Sequence, residues 1–237
     1  MHFHAGLVSE IHWHPELGRS AWIQCAPPAI PTAGRYLLAW SPQDPDAPLA
    51  AALFPARPGF REPGEPTGFL AAAPAPAGWE PGAALQLRGP LGRGFEPPPG
   101  LRRLALAAFG PSAERLLPLI DPLLQQGGEV ALFSDGPLPS LPEAVEANPL
   151  AALPDALAWA DFLALDLPLG LAPTLHDRLG LPQGARVLPC AAQALIYAPM
   201  PCGGAADCGA CAIDTRRGWK LACQDGPVFP VEELFNF

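Results

Sequence analysis

Four of the six cysteines of this 237-residue chain, Cys202, Cys208, Cys211 and Cys223, fall close together near its C-terminal end. Where the compartment keeps thiols reduced, such a group holds a metal more readily than disulfides. The spacing is C-x5-C-x2-C-x11-C. Zinc sites usually present two short-spaced pairs, each on its own knuckle, and here only Cys208 and Cys211 form one. Three cysteines on one loop with a distant fourth is the plan of the plant-type 2Fe-2S site, whose spacing begins C-x4-C-x2-C. Between the ligands stand Gly203, Gly204, Ala205, Ala206 and Asp207, then Gly209 and Ala210. Small residues let a loop wrap closely around an inorganic core and aim backbone N–H groups at its sulfurs. The spacing favours a 2Fe-2S cluster, with zinc or disulfide-bonded cysteines as the alternatives. Cys25 and Cys190 read as small buried apolar residues, Cys190 being the alternative fourth ligand.

The elements that must position this loop are broken by 24 glycines and 34 prolines, yet 49% hydrophobic and only 16% charged residues permit a core. The fold class expected is a multidomain α/β protein of three parts. In residues 1–97, strand candidates at Gly6–Trp13, Ser20–Cys25, Arg35–Ser41 and Ala84–Arg88 predict a small β-barrel, with surface loops at Ser41–Ala47 and Gly59–Thr67. In residues 98–186, after Pro97–Pro99, strands at Arg103–Phe109, Glu129–Ser134 and Asp161–Leu165 alternate with helices. The helices are expected over Ala113–Gln126, capped by Ser112, around Leu141–Ala147 and over Ala172–Leu179. That alternation predicts an open parallel sheet; Pro118 and Pro122 weaken its first helix. In residues 187–237 periodicity stops at Cys190 and a Cys- and Gly-rich loop region is expected, ending in the tail Val231–Phe237.

The net charge of −9 argues against a nucleic-acid surface, which needs clustered Lys and Arg to replace counterions. Met1–Gly18 lacks the basic-then-apolar pattern of a secretory signal, and uncharged stretches such as Val187–Ala206 carry Pro189, Pro199 and Pro201 and do not read as membrane spans. A soluble, cytoplasmic protein is the expectation.

The stretch Met200-Pro-Cys202-Gly-Gly through Cys208-Gly-Ala-Cys211 to Cys223-Gln-Asp-Gly-Pro-Val-Phe229 resembles the iron-sulfur domain of the electron-transfer subunit of type B dihydroorotate dehydrogenase. Gly89-Pro-Leu-Gly-Arg-Gly-Phe95 resembles the segment that links that family's flavin barrel to its nucleotide domain. The order of barrel, α/β domain and cluster loop is also that of a ferredoxin-reductase-like protein. The resemblance implies that Cys202, Cys208, Cys211 and Cys223 are the ligands of a 2Fe-2S cluster. It implies a flavoprotein partner, the dihydroorotate-oxidising subunit, and a place in pyrimidine biosynthesis. One departure is that five residues rather than four separate Cys202 from Cys208.

The resemblance also implies FAD in the barrel, and there the sequence departs further. The family's Arg-Arg-Pro-x-Ser motif corresponds to Leu53-Phe54-Pro55-Ala56-Arg57-Pro58, without its arginines before the proline and its serine after it. Its Gly-Thr phosphate step falls within Leu70–Pro76. Its Gly-rich nucleotide turn corresponds to Phe109-Gly-Pro-Ser-Ala-Glu114, and its Cys-Gly-Pro step to Asp166-Leu167-Pro168. A pyrophosphate needs hydroxyls, N–H groups and positive charge, and a dinucleotide turn disfavours an acid. NAD(P) binding is therefore expected to be lost and FAD binding weak or absent, any flavin contacts falling to Gly89, Gly92 and Arg57. The chain reads as an electron-transfer component rather than a stand-alone enzyme. The alternatives are an FAD-dependent reductase with a non-standard flavin site and a non-redox accessory subunit whose cysteines hold zinc.

His2 with His4, and His12 with His14, share a strand face and read as solvated. His176-Asp177 reads as a polar surface pair. Trp219 and Tyr197 flank the cluster loop and are expected to shield it.

Overall fold

The computed structural model describes residues 3–43, 49–59, 67–182, 184–185 and 187–235. His2, most of the loops at Ser41–Ala47 and Gly59–Thr67, and the last two residues lie outside them. Seven strands form the first sheet: β1 (Phe3–His14), β2 (Gly18–Cys25), β3 (Tyr36–Trp40), β4 (Ala51–Leu53), β5 (Pro55–Gly59), β6 (Gly68–Ala71) and β7 (Ala84–Leu91). Their order is β4-β3-β7-β1-β2-β6-β5, all neighbours antiparallel. A single residue, Phe54, joins the two edge strands β4 and β5, so the sheet must curl until its edges meet. The result is barrel-like. Inward strand residues, among them Val8, Ile23, Leu37, Phe69 and Leu87, fill its core together with Trp79 from the loop between β6 and β7.

The second sheet contains β8 (Arg103–Ala108), β9 (Glu129–Ser134), β10 (Val145–Asn148), β11 (Phe162–Pro168) and β12 (Ala191–Tyr197), all parallel in the order β10-β9-β8-β11-β12. An antiparallel edge strand, β15 (Val228–Pro230), follows β12. Between β12 and β15 the chain forms the hairpin β13 (Ala212–Thr215) and β14 (Gly218–Leu221). Along β8, Leu104 and Leu106 face one apolar layer with Leu116, Ile120 and Leu123, while Ala105 and Ala107 face the other. That second layer runs from Leu163 and Leu165 through Ile196 to Cys211 and Cys223, so the cluster loop is built on the same core as the parallel sheet.

The four strands expected in the barrel and the three expected in the parallel sheet are present. The helices differ. Ala113–Gln126 is a 3-10 helix (Glu114–Leu119) followed by one short helix, α1 (Ile120–Leu124), because Pro118 and Pro122 remove N–H donors. Ser112 is not the cap: Ala113 takes that position without a side-chain bond, and the Ser112 hydroxyl accepts from Glu114 N at 3.1 Å in the turn before it. Leu141–Ala147 is not helical: Val145 N closes a turn onto Pro142 O and Val145–Asn148 pairs with β9. A free strand edge overrides a weak local pattern. The other helices are single turns, α2 (Leu153–Ala156) and α3 (Leu175–Arg178), the latter entered through a 3-10 helix with Pro173 inside. Beyond Cys190 the expected loop region contains four strands, β12 to β15, two of them in the second sheet.

Asp161 pins the start of β11 to β8, accepting from Arg102 N, Arg103 N and Arg103 Nη2 at 3.2, 2.9 and 2.9 Å. These donors, the Arg103 guanidinium foremost, hold its carboxyl below the usual carboxylate range. A depressed native pKa contributes stability above the unfolded value of ~3.9 that is lost as pH falls through the native one. Asp161→Asn is therefore expected to lower the melting temperature at pH 7, with the gap to the parent closing on acidification below about pH 4; paired thermal melts across pH check it.

Candidate metal centre

The four clustered cysteines are held on three elements: the loop between β12 and β13 carries Cys202 and Cys208, Cys211 precedes β13, and Cys223 follows β14. All four are free thiols. Cys202 lies within hydrogen-bonding reach of Cys208, and Cys223 interacts with both Cys211 and Cys202, so the four cysteines share one region of the fold. The Asp207 carboxylate joins the Cys202 and Cys208 sulfurs, the three lying within 4.8 Å of one another. Cys211 and Cys223 are buried, Cys202 is half-buried and Cys208 exposed. The site therefore has an inner and an outer edge.

The loop is shaped for anions. Gly203, Gly204 and Gly209 take left-handed φ values of 60, 71 and 70°, and Ala206 joins them at 65°. Space for a side chain is not the issue at Gly203 or Gly209, where an added Cβ would meet nothing, so the glycines serve the backbone turn. The turn aims the N–H groups of Ala206, Asp207 and Cys208 at Cys202 Sγ, and Ala210 N reaches Cys208 Sγ at 3.5 Å. Against desolvation, which pushes the Cys202 thiol up, the Cys208 thiol and these backbone donors bring it down to about 7. Cys223 moves the other way: burial, then Cys211 and Cys202 beside it, push its thiol up to about 12. Between Cys202 and Cys208, Ala205 and Asp207 are exposed and Gly203, Gly204 and Ala206 half-buried.

The barrel supports the loop directly. Tyr36, fully buried on β3, donates its hydroxyl to Cys223 O at 3.0 Å, and Arg88 Nη1 donates to Gly203 O at 3.0 Å. Sequence reasoning missed both, because an apolar strand with a tyrosine at one end gives no sign of where its hydroxyl goes. Trp219 does not shield the loop as expected: it stands 74% exposed at the tip of the β13–β14 hairpin. Tyr197 turns away from the cysteines to Arg115 and Phe54. Cys190 is half-buried, its thiol pushed up by burial and then by Asp161.

Of the three residues expected at a flavin, Gly92 has φ +74° and sits against the cluster segment, where an added Cβ would lie 2.5 Å from Pro227 Cδ and 2.8 Å from Gly226 O. Arg93 N donates to Gly226 O at 2.6 Å beside it. Gly89 packs on Leu37 and Tyr36 O. Arg57 is exposed on β5. The histidines are not merely solvated: His12 pairs with Glu10 at 3.3 Å, and His14 Nε2 lies 3.0 Å from Ser20 Oγ and 3.9 Å from Glu114 Oε1. His176 is largely buried against the Phe235 ring.

Residues 199–235 match the family model of the iron-sulfur cluster binding domain of dihydroorotate dehydrogenase B. The resemblance carried by the cysteine segment is thus borne out. No curated protein matches the chain in sequence. Among solved structures, the NADH-dependent reduced ferredoxin-NADP oxidoreductase, described in connection with flavin-based electron bifurcation, superposes with a TM-score of 0.69 at 17% identity, covering 96% of this chain and 88% of that one. The ferredoxin reductase of carbazole 1,9a-dioxygenase gives 0.56 at 18% identity over 77% of this chain and 67% of its own. A second structure of that reductase, described as its FAD apo form, gives 0.55 at 19% identity over 77% and 65%. The fold is ferredoxin-reductase-like. Among the described residues no helix is long and apolar enough to cross a membrane.

Tyr36→Phe leaves the buried Cys223 carbonyl without its donor. The expected cost is about 1 to 3 kcal/mol of unfolding free energy, measurable by denaturant titration.

Proposed function

We propose that the protein is an iron-sulfur electron-transfer subunit that holds one 2Fe-2S cluster on Cys202, Cys208, Cys211 and Cys223 and exchanges single electrons with a flavoprotein oxidoreductase. What supports this reading is the gathering of four free cysteines on neighbouring loops, with backbone N–H groups aimed at Cys202 and Cys208, inside the segment that matches an iron-sulfur binding domain. Four thiolates are the donor set such a cluster requires, and the cluster when bound supplies one-electron redox chemistry. The chain's own residues do the rest. Cys211 and Cys223 would anchor the dry inner edge, while Cys202 and Cys208 would present the outer edge to a partner. The N–H groups of Ala206, Asp207 and Ala210 stabilise negative charge on sulfur, a lever on reduction potential. Tyr36 fixes the backbone that aims Cys223.

The matched segment supports a dihydroorotate-oxidising flavoprotein as the partner, and with it a role in pyrimidine synthesis in the reducing cytoplasm, where thiolate ligands persist.

FAD is the second group the fold implies, and the residues do not fit it. Leu53 and Phe54 on the barrel are buried apolar side chains where the family has arginines. Arg57 lines a cavity of about 50 Å³ with Leu117, Ile120 and Asp121, far below the ~300 Å³ at which small-molecule sites begin.

Anaerobically purified protein is expected to show the visible absorbance of an iron-sulfur cluster, with iron and acid-labile sulfide each near two per chain by the chemistry of 2Fe-2S. A colourless protein carrying one zinc would overturn the reading. Cys223→Ser should abolish the signal and Cys190→Ser preserve it; the reverse result would make Cys190 the fourth ligand.

A further inference from the structure

An open parallel sheet takes its ligand beyond the carboxyl ends of its strands, at the point where strand order reverses. In the order β10-β9-β8-β11-β12 that point lies between β8 and β11. The chain fills it from within. Asp166, at the end of β11, is fully buried, and the equally buried Arg115 meets it with Nε 2.8 Å from Oδ2 and Nη2 3.2 Å from Oδ1. The flat guanidinium lies 4.1 Å over the Tyr197 ring at the end of β12. The other side of the stack is closed by Phe54, whose ring meets Tyr197 at 6.1 Å and Tyr36 at 5.6 Å.

The residue before Arg115 points the opposite way. Glu114 is 2% exposed, and its Oε2 accepts from Ala73 N at 2.8 Å, in the barrel loop between β6 and β7. Its Oε1 faces His14 across 3.9 Å. The 3-10 helix that carries the pair packs directly on β5.

We infer that Glu114 and Arg115 form a built-in plug standing in for a dinucleotide: the Glu114 carboxylate takes the backbone N–H that a phosphate oxygen would take, and the stacked Arg115 guanidinium takes the crevice that a planar ring would enter. The plug ties barrel to parallel sheet through the chain's own charges. The protein consequently takes up neither flavin nor pyridine nucleotide. Resting on the proposed cluster, it follows that electrons enter and leave only one at a time, at the Cys202–Cys208 edge, so the reaction that supplies them must end on a one-electron donor.

The plug is tested without reference to the cluster, so its failure and that of the electron-transfer reading are separable. The purified full chain is titrated with FAD, following flavin fluorescence, and with NADH. No saturable change is expected, and one-to-one binding of either overturns the inference. Amide hydrogen exchange then reads the lock. Ala73 N–H should be protected in the parent, lose protection by at least tenfold in Glu114→Ala, and keep most of it in Glu114→Gln, which retains a side-chain carbonyl acceptor. Protection unchanged in Glu114→Ala shows that the carboxylate does not hold the loop, and overturns the inference as well. Should Glu114→Ala fail to fold, Arg115→Lys is read instead: a lysine cannot make the forked, stacked contact, and faster exchange at Phe109 N–H, which bonds Asp166 O at 2.9 Å, is the expected result. Exchange there at the parent rate overturns it.

Discussion

The barrel and the cluster segment touch backbone to backbone at Gly92, where no side chain of any size fits between the Cα and Pro227, and Arg93 N bonds Gly226 O beside it. Much else follows from that closeness. Two residues after Gly226 the chain enters β15 and pairs with β12, so the same contact that seats the cluster loop on the barrel also sets the last strand of the parallel sheet. Ile196 N bonds Pro227 O at 2.8 Å, and Gly34 leaves room for Val228, each extending the seam by one more close approach. Gly89–Phe95 and Cys223–Phe229, far apart in sequence, are thus two halves of one joint, and the cysteines inherit their placement from it.

This explains which features were legible in the sequence. The cysteines announced themselves by type and spacing, and the barrel strands and the three buried strands of the parallel sheet by apolar runs between turns. The loop glycines near Cys202 were read for the right reason, since their left-handed backbones turn N–H groups toward sulfur. The helices were not legible, because Pro118, Pro122 and Pro173 leave only fragments whose conformation is decided by what they pack on. Val145–Asn148 is strand because β9 has an edge to fill, which no local pattern encodes. The support for Cys223 from Tyr36 spans 187 residues and was beyond any reading of periodicity.

The same limit applies to Glu114, Arg115 and Asp166. In sequence they look like erosion of a nucleotide motif, an acid where glycine is wanted and an aspartate where a cysteine is wanted. In space Glu114 accepts from Ala73 N, and Arg115 donates to Asp166 Oδ1. Burying a carboxylate is costly, and desolvation does push the Asp166 carboxyl up even with Arg115 pulling it down. A buried ion pair is weak grounds for extra stability. Its geometric demand is strict, however, because a guanidinium that bonds a buried carboxylate while stacked on an aromatic ring admits few orientations. The pair therefore orients the 3-10 helix on the sheet, and the neighbouring Glu114 carries the link to the barrel through Ala73 N.

The second sheet also ends in a particular way on both sides. Its β10 edge is four residues long with Glu146 exposed, and its β15 edge is three residues long and closes on Pro230, which has no N–H to offer. Short, charged or proline-ended edges cannot template another strand. Neither border of that sheet invites a neighbouring chain to extend it, so a protein that docks there meets side chains rather than a row of open backbone groups.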